Sequence, residues 1–269
     1  MRCHSEQNSV SVVIAITLAK PGGATFFAFS LAEWLKKQGI QVTMLAGEGD
    51  WLFQKCHESG ITCLHIPSLG REISPYKDLK SLIELIRLLR KLKPSALHLN
   101  SSKMGVIGSL AGRITRITRI VYCIGGWSFL ESLSARKRQL YIWAERISGR
   151  WKDQIVCVYP GDAKEAQRHH IKGREETIVI PNGVDLQLLD RHRLSREEAR
   201  AELSLPRDGY IFGTIGNFYP AKDLPRYLEA CAMVRKTCPN VHFALIGDGP
   251  ERTLIEDARK HHHLEDVVH

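Results

Sequence analysis

Short runs rich in β-branched residues alternate with longer stretches of helical period along most of this chain, and no other feature limits its fold as strongly. The strand-like runs are Val10–Ile16, Ile40–Ala46, Ile61–Ile66, Ala96–Leu99, Ile120–Ile124, Gln154–Val158 and Thr177–Ile180. Helix-period segments lie among them at Thr25–Gln38, Leu79–Leu92, Lys103–Arg113, Leu133–Arg150 and Asp162–His170. Strands spaced by helices join through right-handed βαβ crossovers into a parallel sheet. The segment Leu79–Leu92 shows the helical logic. Leu79, Leu82, Ile83, Ile86, Leu89 and Leu92 form an apolar stripe, while Arg87, Arg90 and Lys91 face outward. A packing helix is expected there, not a site.

The pattern breaks after Pro181-Asn-Gly183. Leu186–Leu194 is polar-rich, Ser195-Arg-Glu-Glu198 reads as a capping box opening a helix to Leu203, and Pro206-Arg-Asp-Gly209 is a turn. A new alternation follows: strand Tyr210–Ile215, helix Leu224–Thr237, strand Val241–Ile246, helix Glu251–His262 and the start of another strand near Val267. The expected fold class is therefore α/β with two Rossmann-like parallel-sheet domains. The first covers residues 1–185, a hinge or linker covers 186–208, and an incomplete second domain covers 209–269. Histidines 261–263 read as a helix end rather than a tag or metal site, because Leu264-Glu-Asp-Val-Val268 continues a helix-to-strand transition.

With 269 residues, 43% of them hydrophobic and 25% charged, the chain can bury a core and does not read as disordered. Its longest apolar runs, such as Val10–Leu18, are too short to cross a bilayer, and no secretion signal is expected from the polar opening stretch. Cys3, Cys56, Cys63, Cys123, Cys157, Cys231 and Cys238 include no C-x-x-C pair, so neither a disulfide framework nor a zinc site is indicated. Free thiols and a cytoplasmic location are expected, with peripheral attachment at the inner face of the plasma membrane. The formal charge is +9, and residues 71–153 alone hold 17 Lys/Arg against 6 Asp/Glu, a local +11 that leaves −2 for the rest. Such a patch suits anionic lipid headgroups or phosphorylated substrates; solvated helix faces explain it equally well. No zinc-finger spacing or aromatic-basic RNP pattern accompanies it, so no nucleic-acid partner is expected.

Four loops carry candidate chemistry. Lys20-Pro-Gly-Gly-Ala-Thr25 joins the first strand to a helix, and its glycines let backbone amides approach a ligand at a helix N-terminus. It lacks the G-x-G-x-x-G spacing of a dinucleotide site, and a plain tight turn explains it too. After strand Tyr210–Ile215 comes Gly216, then Asn217-Phe-Tyr-Pro-Ala-Lys222, where a lysine beside a helix start suits a diphosphate. Gly247-Asp-Gly-Pro250 follows the next strand, so two glycine-bearing loops meet at adjacent strand ends, a common place for nucleotides. Both are also compatible with ordinary strand-to-helix turns. In Cys123-Ile-Gly-Gly-Trp-Ser-Phe129, Gly125 and Gly126 suit close substrate approach, and Trp127 is either a sugar-stacking face or a buried turn residue. No Ser/His/Asp, Cys/His or H-E-x-x-H signature appears, and no catalytic residue or oligomeric state is read.

Taken together, Gly22-Gly-Ala24, Leu69–Asp78, His98-Leu-Asn-Ser-Ser-Lys-Met-Gly105, Gly126-Trp127 with Phe129, Ile180-Pro-Asn-Gly-Val-Asp185, Gly213–Lys222 and Leu245-Ile-Gly-Asp-Gly-Pro250 resemble the N-terminal two-thirds of glycosyltransferase family 4, a GT-B-fold family. The Ser-Ser-Lys segment is similar to the bacterial polysaccharide and cell-envelope branch. The resemblance implies retaining transfer from a nucleotide diphosphate sugar to a lipid-linked or polysaccharide acceptor, with no cofactor beyond that co-substrate and no obligatory metal. It implies a donor site drawing on Gly22, Gly23, Gly216, Asn217, Lys222, Gly247, Asp248 and Gly249. On the acceptor side it implies Ser101, Lys103, Gly125, Gly126 and Trp127, with catalysis in the cleft.

The chain departs from the family pattern in three places. Gly125-Gly126-Trp127 stands where many relatives have His-Gly-Trp, and Asn217 where they often have Arg. The acidic Glu-x7-Glu segment that holds the donor sugar is expected beyond residue 269, so the activity of these residues alone is left open. His98 or Ser101 is a conceivable substitute in acceptor handling. The alternatives are a catalytically inactive nucleotide-binding fragment or subunit, and a nicotinamide-dependent oxidoreductase whose only candidate ribose partners are Glu48 and Asp50.

Overall fold

The parallel sheet is present. The computed structural model describes residues 10–191 and 193–269, which divide into two compact units, one ending at Asn182 and the other Gly183–His269. In the first unit the order is β1 (Ser11–Ile16), α1 (Gly23–Lys37), β2 (Gln41–Ala46), α2 (Trp51–Glu58), β3 (Thr62–His65), α3 (Pro75–Leu92) and β4 (Ala96–Asn100). It continues through α4 (Ser102–Ile114), β5 (Arg119–Ile124), α5 (Ala135–Gly149), β6 (Gln154–Cys157), α6 (Pro160–Arg168) and β7 (Ile178–Val179).

All neighbouring strands of the first unit run parallel, in the order β3-β2-β1-β4-β5-β6-β7. The order reverses between β1 and β4. Right-handed crossovers then place α1 and α2 on one face and the later helices on the other. Two apolar layers result: Ile14, Ile16, Met44 and Leu52 under α1 and α2, and Val13, Leu97, Leu99, Ile120 and Ile155 under the opposite face. Helix α4 lies especially close to the sheet. A Cβ on Gly105 would fall 2.6 Å from the Tyr122 ring, one on Gly108 2.5 Å from a Leu99 methyl, and one on Gly112 2.7 Å from Ile120.

Beneath α5, Lys152 Nζ donates to Glu145 Oε2 at 2.7 Å and to Ser148 Oγ at 3.0 Å. Tyr122 Oη donates to the other Glu145 oxygen at 3.1 Å, and the ammonium sits 4.0 Å from the Tyr122 ring centre. Burial pushes the Lys152 ammonium down and the Tyr122 phenol up, while Glu145 supports the charged lysine.

Three expectations for this unit need correction. Helix α2 was not anticipated, because its eight residues span little more than two turns and Asp50 forms no side-chain cap. Helix α3 starts at Pro75, with the Asp78 carboxylate accepting from Ser74 N at 3.1 Å. Its buried face is Ser81, Leu85 and Leu89, so Leu79 and Ile83 are exposed rather than part of the packing stripe. The helix is apolar on both sides, and the stripe as read from spacing mixed the two.

The second unit begins with α7 (Leu186–Arg191) and α8 (Arg196–Glu202), where a linker was expected. The capping box forms: Glu198 N donates to Ser195 Oγ at 3.2 Å and Ser195 N to Glu198 Oε2 at 2.9 Å. Buried Arg200 then donates to the carbonyls of Pro206 and Gly209, each at 2.8 Å, and to that of Arg207, fastening α8 to the next turn. Strands β8 (Tyr210–Ile215) and β9 (Val241–Ile246) pair in parallel, and α9 (Leu224–Thr237) and α10 (Arg252–His261) pack on Phe218, Leu228, Phe243 and Val267. Near Val267 the expected strand starts: Phe243 N donates to Val267 O at 2.7 Å, His269 N to Phe243 O at 2.8 Å and Leu245 N to His269 O at 2.9 Å, in parallel pairing with β9. His261 ends α10 and His262 caps it.

The six described cysteines are free thiols, and Cys3 lies outside the described residues. Among the described residues no helix is long and apolar enough to cross a membrane.

Candidate active site

The loops after β8 and β9 interlock. Gly216 N donates to Ile246 O at 3.0 Å, Phe218 N to Asp248 O at 2.9 Å, and Glu251 N to Phe218 O at 3.1 Å. The glycines permit this approach. A Cβ on Gly247 would collide with the Gly216 carbonyl oxygen, and one on Gly249 would lie 2.7 Å from Phe218 O. Lys222 ends a 3-10 turn (Pro220–Lys222) and is exposed, its Cε 4.0 Å from where a Gly216 Cβ would stand. Gly216, Asn217, Lys222 and Gly247–Gly249 thus share one strand-end surface, as the spacing anticipated.

Asp248, itself exposed, braces this surface. Its carboxylate accepts from Gly249 N at 2.7 Å and from Arg252 Nε at 2.9 Å, and Arg252 holds it below the usual carboxylate range. Arg252 also donates to Gly247 O at 3.1 Å and lies 5.4 Å from the Phe218 ring centre. It is a second cation beside the loops and was missed in the sequence; its only signal there is the i,i+4 spacing from Asp248.

In the first unit, the loops after β1, β4 and β5 are stitched by hydroxyl pairs at the point where strand order reverses. Thr17 Oγ1 and Ser101 Oγ lie 2.6 Å apart, as do Ser102 Oγ and Ser128 Oγ. Ser101 has φ 77° and ψ 148°, a region almost confined to glycine and costing about 1–3 kcal/mol for other residues. Strain of that kind concentrates at functional sites. Gly22 caps α1 and Gly23 opens it, and a Cβ on Gly23, Gly125 or Gly126 would meet nothing within 4 Å. These glycines border open space at the rim.

Below the rim, His98 Nδ1 and Asn100 Nδ2 are 3.1 Å apart, and burial pushes the His98 imidazole down to about 4. The neutral ring is the form that can accept from Asn100. The buried Asn100 Oδ1 has no hydrogen-bond partner among the described residues.

Two acceptor-side expectations fail. Trp127 is only 2% exposed; its indole donates to Asp162 O at 2.8 Å and stacks on Phe129, so it is core and offers no face to a sugar. Its apolar ring had two uses consistent with the spacing, and the core claimed it. Lys103 is tied down as well, pairing with Asp78 Oδ1 at 2.8 Å and donating to Glu72 O. It anchors the start of α3 instead of reaching outward. Glu48, one candidate ribose partner, pairs with Lys20 at 2.5 Å, while Asp50 stands at the N-cap position of α2 without a side-chain cap bond.

Profile comparison decides the family. Glycosyltransferase Family 4 matches residues 21–188, and Glycosyl transferases group 1 matches residues 195–269. The chain belongs to glycosyltransferase family 4. It is 27% identical over 219 residues to the Escherichia coli UDP-Gal:alpha-D-GlcNAc-diphosphoundecaprenol alpha-1,3-galactosyltransferase, covering 81% of this chain and 56% of that protein. It is 24% identical over 237 residues to the Staphylococcus aureus capsular polysaccharide biosynthesis glycosyltransferase CapM, covering 84% and 59%. This family 4 chain therefore spans somewhat more than half the length of either relative. The crystal structure of Anabaena HepE in complex with UDP and glucose matches 97% of this chain and 68% of its own, with TM-score 0.77 and 18% identity. At that identity the likeness carries the fold, which is GT-B, as the family resemblance implied.

Proposed function

We propose that this family 4 chain acts in the transfer of a sugar from a UDP-sugar to a sugar acceptor carried on a lipid diphosphate, at the inner face of the plasma membrane. The interlocked loops after β8 and β9, with Lys222 and Arg252 beside them, are the observation that carries this reading. As the glycosidic bond of the donor breaks, negative charge builds on the departing diphosphate. An ammonium standing beside these loops stabilises that charge. Gly125 and Gly126, at the rim of the first unit, supply the acceptor side, where backbone can approach a hydroxyl closely. Retention of configuration and independence from a resident metal belong to the same reading, with Lys222 in the role a divalent cation would otherwise fill. The Escherichia coli relative, named for a UDP donor, a diphospholipid acceptor and an alpha product, supports the choice of substrates.

Calorimetric titration of UDP and a UDP-sugar into the protein tests the donor half. Saturable binding of both, weakened in Lys222→Ala, is expected; NADH binding with no response to UDP would overturn it. Transfer to a polyprenyl-diphosphate-linked sugar is then measured with and without a chelator. Loss of transfer on chelation, or an inverted product, would refute the metal-free retaining reading.

A further inference from the structure

The outer faces of α3 and α5 carry apolar residues that the fold does not use. On α3, opposite the buried Ser81, Leu85 and Leu89, stand Tyr76, Leu79 and Ile83, exposed by 79%, 58% and 42%. On α5, opposite the buried Ile142, Glu145 and Ser148, stand Leu140, Trp143 and Ile147, exposed by 60%, 51% and 45%. Each trio has the i, i+3, i+7 spacing that makes one stripe on a helix surface. Single exposed apolar side chains are ordinary, but two aligned stripes in one layer mark an interaction surface. The helix between them, α4, is drawn down onto the sheet by its three glycines, so it does not hide either stripe.

The charge around the stripes narrows the partner. Both helices fall within residues 71–153, with 17 Lys/Arg against 6 Asp/Glu. At 100° per residue, Arg136 and Arg150 project from the same face of α5 as its stripe, one at each end. Lys80, Arg87 and Arg90 take the same outward side of α3, and all five are exposed. The Arg146 guanidinium lies over the Trp143 ring, 5.5 Å from its centre. An apolar centre containing Trp with a cationic rim matches the boundary between acyl chains and anionic headgroups. A nucleic acid would use the cations but not Leu, Ile and Trp in this arrangement.

We propose that the outer face of the α3–α5 layer docks the first unit onto an anionic lipid surface, with Leu140, Trp143 and Ile147 inserted and Arg136 and Arg150 on the phosphates. This rests on the reading that the acceptor is lipid-linked, and it assigns the residues that bring the rim of the sheet to it. Docking here is peripheral. The apolar side chains reach only the headgroup boundary.

Vesicle co-sedimentation of the 269-residue protein tests the proposal, using phosphatidylglycerol–phosphatidylcholine vesicles and phosphatidylcholine alone. The protein is expected to pellet with the anionic vesicles and roughly tenfold less with the neutral ones. The doubly substituted Leu140→Gln/Trp143→Gln and Arg136→Glu/Arg150→Glu proteins should each lose about tenfold in vesicle affinity, with UDP affinity unchanged. Wild-type protein that stays in the supernatant with anionic vesicles, or variants that pellet as wild type does, would overturn it. So would a wild-type dimer made monomeric by Leu140→Gln/Trp143→Gln with no vesicle binding, since the face would then join two copies. UDP binding without vesicle binding removes this inference alone; vesicle binding without UDP binding removes the transferase reading alone.

Discussion

Gly247 stands directly against the carbonyl of Gly216, so close that only hydrogen fits between them. The loops after β8 and β9 therefore close as one surface only while residue 247 lacks a side chain. Gly247→Ala should cost about 1–3 kcal/mol of stability through forced overpacking and lower UDP affinity together with it. Urea unfolding and calorimetry read the two effects. A variant as stable as wild type would show that the loops part easily.

Gly23 presents the opposite case. An added methyl there meets nothing within 4 Å, and alanine is the better residue at a helix start. Gly23→Ala should keep or slightly raise the melting temperature, and if Gly23 belongs to the donor side it should weaken UDP-sugar binding. Unchanged affinity would remove Gly23 from the donor side.

Lys222→Ala should lower affinity for UDP by roughly tenfold or more, the scale of one charge-assisted hydrogen bond, and leave the unfolding midpoint in place because Lys222 is exposed. Binding to uridine, which has no phosphate, should be the same in both proteins. A loss of equal size for uridine would mean that Lys222 does not act on the diphosphate.

The Lys152–Glu145 pair is almost wholly buried, so removing one partner strands the other. Lys152→Met alone should destabilise the first unit by about 3–5 kcal/mol. Glu145→Leu combined with Lys152→Met should recover most of that loss, since neither desolvated charge then remains. Chemical denaturation of the three proteins gives the cycle; additive losses would argue against the pairing.

His98 makes stability depend on acidity. Its ordinary value of 6.5 in the unfolded chain falls to about 4 in the fold, so unfolded molecules take up the proton first as pH drops. Its contribution is complete above 6.5, is lost as pH falls from 6.5 to 4, and changes no further below that. Unfolding midpoints across this range should slope less steeply in His98→Gln than in wild type. Equal slopes would place the acid sensitivity elsewhere.

Much of the architecture was legible because burial on both faces makes parallel strands into continuous β-branched runs. Ser11–Ile16 and Gln41–Ala46 fall within one residue of the limits their composition announced. Helix α2 was hidden by brevity. The true inward side of α3 was hidden because Leu79 and Ile83 have the same polarity as the residues that pack. In the candidate site, loop glycines were readable from their place after strands. The duties of Trp127 and Lys103 were not, since sequence spacing does not say which side chains the core and the neighbouring Asp78 will claim. Arg252 escaped notice because a lone arginine at a helix start looks like solvated surface.

The hydroxyl pairs Thr17–Ser101 and Ser102–Ser128 have an evolutionary consequence. They hold the rim of the first unit with neutral groups, and the nearby cations Lys20 and Lys103 already have carboxylate partners in Glu48 and Asp78. On the proposed reading, the charge for the diphosphate sits instead on the loops of the second unit, at Lys222. On that reading, substitutions around these hydroxyl pairs retune which hydroxyl is received while the phosphate-handling loops stay constant, so a lineage built on this chain would change its glycan product by drift at one end of one sheet.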